Sequence, residues 1–121
     1  MQERKFSKEY IAGFFDGEGC ISLSYTSASG TKKKYPHLMV SLAQSGQIGL
    51  DILTKIQTQF GGHLHHRKRY AENHKEAYQL RWTGKKAILF LDTIGPHLII
   101  KQQKASDMCN YMEDYYANRK V

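Results

Sequence analysis

A chain of 121 residues, 40% of them hydrophobic, fits one domain built on a modest core, and the domain is expected to cover residues 1–121. No apolar run is long enough to cross a membrane and no signal-peptide pattern opens the chain, so a membrane partner is not expected. Lys and Arg number 18 against 11 Asp and Glu, and the net charge of +7 points to a polyanionic partner.

The excess charge is concentrated. Residues 62–86 carry seven basic residues against Glu72 and Glu76, together with four of the six histidines. Cys20 and Cys109 lie far apart without metal-type spacing, and both read as small core residues in a reducing compartment.

The first element is a helix. Ser7 suits its N-cap and Glu9 its first turn. Ile11, Phe14 and Phe15 share one face, and the small pair Ala12-Gly13 fits a close approach by another backbone. The helix runs into Asp16-Gly17-Glu18-Gly19. Carboxylates at a helix C-terminus oppose the dipole, so a positive group should compensate them, and a divalent cation is a candidate.

Cys20 to Thr26 alternates as a strand, with Ile21, Leu23 and Tyr25 on one side and Ser22, Ser24 and Thr26 on the other. A polar loop covers 27–34. Tyr35 to Leu42 alternates again, with Leu38, Val40 and Leu42 opposed to Tyr35, His37, Met39 and Ser41. A second helix follows Gln44-Ser45-Gly46 and carries Leu50, Ile52, Leu53, Ile56 and Phe60 up to Gly61-Gly62.

A second hairpin places His63, His65, Arg67 and Arg69 in phase, with Leu64 opposed. Its return strand sets Tyr78, Leu80 and Trp82 against Gln79 and Arg81, and its turn is expected within Ala71–Lys75. Three histidines at 63, 65 and 66 invite a zinc reading. However, His63 and His65 face away from His66 and no cysteine is near, so stacking on or hydrogen bonding to nucleic acid suits His63 and His65 better. A third helical stretch spans about 85–94 and stops at Gly95-Pro96. A last helix begins near Lys101, with Ala105, Met108, Met112 and Tyr115 as its core stripe.

The fold class is therefore α+β. Four antiparallel strands form a saddle-shaped sheet, with helices covering its apolar face. The other face is polar and basic, and it suits a DNA duplex.

The decapeptide Tyr10-Ile11-Ala12-Gly13-Phe14-Phe15-Asp16-Gly17-Glu18-Gly19 resembles the signature of the LAGLIDADG homing endonucleases. The element order resembles the αββαββα fold of that family's single-motif, homodimeric branch. The resemblance implies a metal-dependent endodeoxyribonuclease that cuts both strands of a long, pseudo-palindromic site. It implies that Glu18 is catalytic and binds the metal, with the Gly17 carbonyl as a second donor. The family more often has Asp at the position of Glu18, and both are oxygen ligands. The segment Leu38–Gln44 puts Gln44 where the family positions a water. The segment Pro96–Ala105 puts the catalytic-centre lysine on Lys101, with Lys104 as second choice.

The resemblance further implies Mg²⁺ as cofactor, Mn²⁺ as a substitute, and Ca²⁺ binding without efficient cleavage. One motif per chain implies a homodimer, with Ile11, Ala12, Gly13 and Phe15 at the interface. The expected DNA-binding residues are Ser22, Ser24, Thr26, Tyr35, His37, Ser41, His63, His65, Arg67, Arg69, Gln79 and Arg81. Two alternatives stay open on the same scaffold: a maturase that binds host intron RNA, and a DNA-binding regulator without cleavage. The expected location is intracellular, whether an organelle (chloroplast or mitochondrion), bacterial cytoplasm or phage-infected cytoplasm.

Overall fold

A computed structural model of the protein describes residues 5–27, 30, 33–67 and 76–118. Helix α1 (Lys8–Glu18) leads into strands β1 (Gly19–Ser27) and β2 (Lys34–Ser45). Helix α2 (Gly46–Phe60), strands β3 (His63–Arg67) and β4 (Ala77–Thr83), and helix α3 (Gly84–Ile94) follow. A 3₁₀ turn over Gly95–His97 precedes helix α4 (Gln102–Asn118). The expected order of helices and strands is observed. The turn expected within Ala71–Lys75 lies outside the described residues.

Local chemistry accounts for the boundaries. The Ser7 hydroxyl accepts from the Tyr10 amide at 3.0 Å and caps α1. Helix α2 ends where Gly61 and Gly62 take φ of +77° and +103°, values that favour glycine. A Cβ on Gly62 would also press on Leu80 and Trp82 at 3.0 Å. Pro96 stops α3 and gives the single 3₁₀ turn.

The sheet order is β1-β2-β4-β3, antiparallel throughout. Its register fixes two faces. Ile21, Leu38, Val40, Leu42, Leu80 and Trp82 lie on one face and belong to a single core. The helices complete that core with Ile11, Phe15, Leu53, Ile56, Phe90, Leu91 and Met112. Trp82 stacks on Phe90 at 3.8 Å between ring centres and donates to the Phe60 carbonyl at 3.2 Å. The N-terminal segment is tied to α2 by a reciprocal pair: Phe6 N donates to Gln59 Oε1 at 2.9 Å, and Gln59 Nε2 donates to Phe6 O at 2.6 Å.

Two expectations about buried residues change. Cys109 is a core residue, and burial together with the charges of Asp92 and Glu113 pushes its thiol up to about 12. Cys20 is exposed, because its register with Ser41 puts it on the open face. Ile11, Ala12 and Phe15 cannot line an interface between protomers: all three are 0% exposed and fill the protein's own core. Of that expected set only Gly13 is on the free side of α1, where it is joined by Gly17 and the half-exposed Tyr10.

Candidate functional site

Among the described residues, the helices pack on one face of the sheet and leave the second open. Register places Ser22, Ser24 and Thr26 of β1 beside Tyr35, His37 and Ser41 of β2. The Ser41↔Arg81, His63↔Arg81 and His65↔Gln79 pairs carry the same face across β4 and β3 to Arg67. The structure thus gathers eleven of the twelve expected DNA-binding residues on one surface, while Arg69 lies outside the described residues. Alternation alone predicted that grouping. Its members are not equally open, for Ser41 is only 5% exposed.

Several side chains of this face were missed by sequence reasoning. Ala43, Ala77 and Thr83 share the phase of their neighbours and line the same surface, beside Met39, whose side the alternation had already indicated. The signal for Cys20 was present too, since it is in phase with Ser22. The apolar reputation of cysteine concealed it.

Two features stand out on the open face. The guanidinium Nε of Arg81 donates to Gln79 Oε1 at 2.7 Å. The rings of His63 and His65 meet edge to face, 4.4 Å apart. Desolvation holds the pKa of His65 below the usual histidine range, and the charges of Arg81 and His63 add to the effect. His66 points the other way, pairs with Glu76 and stacks on Tyr78. Among the described residues no group of three His, Cys, Asp or Glu side chains could hold a metal ion.

At the end of the open face lies the acidic terminus of α1. Glu18 is exposed there. Gly19 follows without a side chain because a Cβ would fall 2.2 Å from the Phe15 ring. Asp16 has a different task. Its carboxylate accepts from the amides of Ile99 at 2.7 Å and Lys101 at 3.0 Å. Burial works to raise the pKa of Asp16, but the amides of Ile99, Lys101 and Ile100 and the Lys101 charge outweigh it and leave the pKa lowered. The Lys101 ammonium donates to the Asp16 carbonyl at 2.5 Å. This is the positive group that the C-terminal end of α1 calls for. Lys104 is exposed in the first turn of α4.

Gln44 is the last but one residue of β2, two positions past the Gly19↔Leu42 pair and therefore at the same end of the sheet as Glu18. It is in phase with Leu42, on the helix-covered side, and half-buried. A Cβ on Gly49 would lie 2.8 Å from the Gln44 Cβ, so the first turn of α2 closes over it.

The profile of the LAGLIDADG endonucleases matches residues 11–113. The chain belongs to that family. Solved structures of homing endonucleases share its fold. I-CvuI in complex with its target in the presence of Ca is 24% identical, with a TM-score of 0.72. The match covers 88% of this chain and 65% of that one, so the chain spans about two thirds of I-CvuI. I-TnaI is 23% identical with a TM-score of 0.65, covering 92% of this chain and 76% of that one. I-SmaMI bound to uncleavable DNA is 15% identical with a TM-score of 0.75, covering 93% of this chain and 38% of that one. No curated protein sequence matches.

Proposed function

We propose that this LAGLIDADG protein is a divalent-metal-dependent DNA endonuclease that acts as a two-fold dimer and cuts both strands of a long, roughly palindromic site. One observation carries the reading. An exposed carboxylate, Glu18, stands at the edge of an open sheet face dressed with serine, histidine, glutamine and arginine, and Lys101 is anchored on the carbonyl of Asp16, two residues before it in α1. That combination offers a polar surface for a duplex and a cleavage centre at its margin.

The Glu18 carboxylate and the Gly17 carbonyl, both oxygen donors at a helix end, fit a hard cation and would hold it. They are too few for a full oxygen shell. A second chain and phosphate oxygens would complete it. A bound Mg²⁺ supplies Lewis acidity and lowers the pKa of a bound water. The protein's own contributions are separate. Lys101, fixed against α1 through Asp16, stabilises charge building on the phosphate. Gln44 orients a water by hydrogen bonding without titrating. The open sheet face aligns the duplex over Glu18.

Dimerisation is supported by the free side of α1. Gly13 and Gly17 are one helical turn apart, and a Cβ on either would meet nothing within 4 Å. Two such helices can approach closely there. Ile99 and Ile100, 85% and 76% exposed and tied to α1 through Asp16, extend the apolar margin beside it.

The test is a cleavage assay beside a mobility-shift assay on DNA selected by the protein from a randomised duplex library. Double-strand cutting in Mg²⁺, with retained binding and little cutting in Ca²⁺, is the expected result. Binding without any cutting in Mg²⁺ or Mn²⁺ would leave only the DNA-binding half of the proposal.

A further inference from the structure

Arg81 and Gln79 form a hydrogen-bonded polar pair on the open face. Both lie on β4, an inner strand flanked by β2 and β3, so neither is at the rim of the sheet. The guanidinium Nε is already engaged, at 2.7 Å from Gln79 Oε1. Ser41 lies opposite Arg81 on β2 and is closed off from solvent, and His63 lies opposite it on β3. The arginine is therefore held in one orientation before any partner arrives. A free arginine side chain loses considerable rotamer freedom on binding, and a prior hydrogen bond removes part of that loss.

The chemistry of the remaining donors selects a partner. With Nε occupied, the two terminal nitrogens of the guanidinium stay available as a parallel fork. In the major groove guanine presents N7 and O6 as adjacent acceptors, whereas adenine puts an amino donor where O6 would be. The end-on fork matches guanine and opposes adenine. An arginine at the rim would meet phosphates first, but one on an inner strand is placed to meet base edges.

We infer that Arg81 reads a guanine in each half of the DNA site, and that Gln79 is its positioning residue rather than a base reader. The inference rests on the duplex-binding reading of the sheet face above. In a two-fold dimer the guanine recurs at two symmetry-related positions.

The experiment is selection from a randomised duplex library in Ca²⁺, sequencing the bound fraction for wild type, Arg81→Ala, Arg81→Lys and Gln79→Leu, with thermal melts to verify folding. Wild type should enrich two-fold-related sequences with one fixed guanine per half. Arg81→Ala should lose about tenfold to a hundredfold discrimination at that base pair and at no other. Arg81→Lys keeps the charge and loses the fork, so discrimination should fall further than affinity. Gln79→Leu should lower discrimination severalfold at the same base pair. A uniform loss of affinity in Arg81→Ala, with base preferences intact, would make Arg81 a phosphate contact and overturn the inference. A changed preference at a different base pair in Gln79→Leu would make Gln79 a direct reader and overturn it as well. A wild type that enriches no sequence overturns both the inference and the duplex-binding reading beneath it.

Discussion

Asp16 holds Lys101 at both ends: its carboxylate accepts from the lysine's amide at 3.0 Å and its carbonyl from the lysine's ammonium at 2.5 Å. The two residues are 85 positions apart, so this contact sets the start of α4 against the end of α1. Asp16→Ala removes the acceptor for two amides and should cost about 1–3 kcal/mol in urea unfolding. The lowered Asp16 pKa gives the pH dependence. The stabilisation is fully present above the unfolded value near 3.8 and is lost as pH falls through the lower folded value. The variant should therefore differ from wild type at pH 6 and converge with it in strong acid. An equal gap at both pH values would contradict this account.

Glu18→Gln keeps the shape of the side chain and removes its charge. Cleavage should fall by more than about a hundredfold, while binding of the selected duplex persists in Ca²⁺. Cutting within a few-fold of wild type would exclude Glu18 from the centre.

Lys101 and Lys104 are separated by their surroundings, since Lys101 is anchored to the carbonyl of Asp16 and Lys104 lies exposed in the first turn of α4. Lys101→Met should lower single-turnover cleavage about a hundredfold. Lys104→Met should leave it within a few-fold. The reverse order would transfer the role.

The glycines of α1 are expected to divide. Gly13→Leu adds bulk where nothing lies within 4 Å, so the protomer should fold normally and elute as a monomer that no longer cuts both strands. Gly19→Ala places a methyl 2.2 Å from the Phe15 ring and should destabilise the protomer by about 1–3 kcal/mol. Light scattering and chemical denaturation distinguish the two, and a dimeric Gly13→Leu would refute the assigned interface.

His65 supplies a pH effect of known sign. Its pKa is lowered by desolvation and by Arg81 and His63, so the folded state resists its protonation. The resulting stability is present above about 6.5 and is lost as pH falls through the lower folded value. His65→Gln should lose less stability than wild type between pH 7 and pH 5. Identical pH profiles would show that the histidine pair is not coupled to folding.

Alternation made most of the fold and the open face legible in the sequence. Ser22, Ser24 and Thr26, or Gln79 and Arg81, betray their side by period alone, and register then joins them across strands. The helix was harder. Ile11 and Phe15 are apolar and evenly spaced, which suits a core and an interface equally, and only the packing of α1 on the protein's own sheet decided for the core. The role of Asp16 was not legible, because its partners are distant main-chain amides that carry no side-chain signature. Gln44 was legible in position and not in orientation, since the turn into α2 governs how far it is covered.

The inward side of α1 builds the protomer, while Gly13 and Gly17 on its outward side have open space around them. In a dimer paired through that outward side, folding and mating are encoded on different surfaces of one helix. Each can then be altered while the other is kept. Two variants of this chain with mutually complementary outer surfaces would favour a mixed pair over either like pair. Such a heterodimer could carry different sheet faces on its two halves and address a target with no palindromic symmetry.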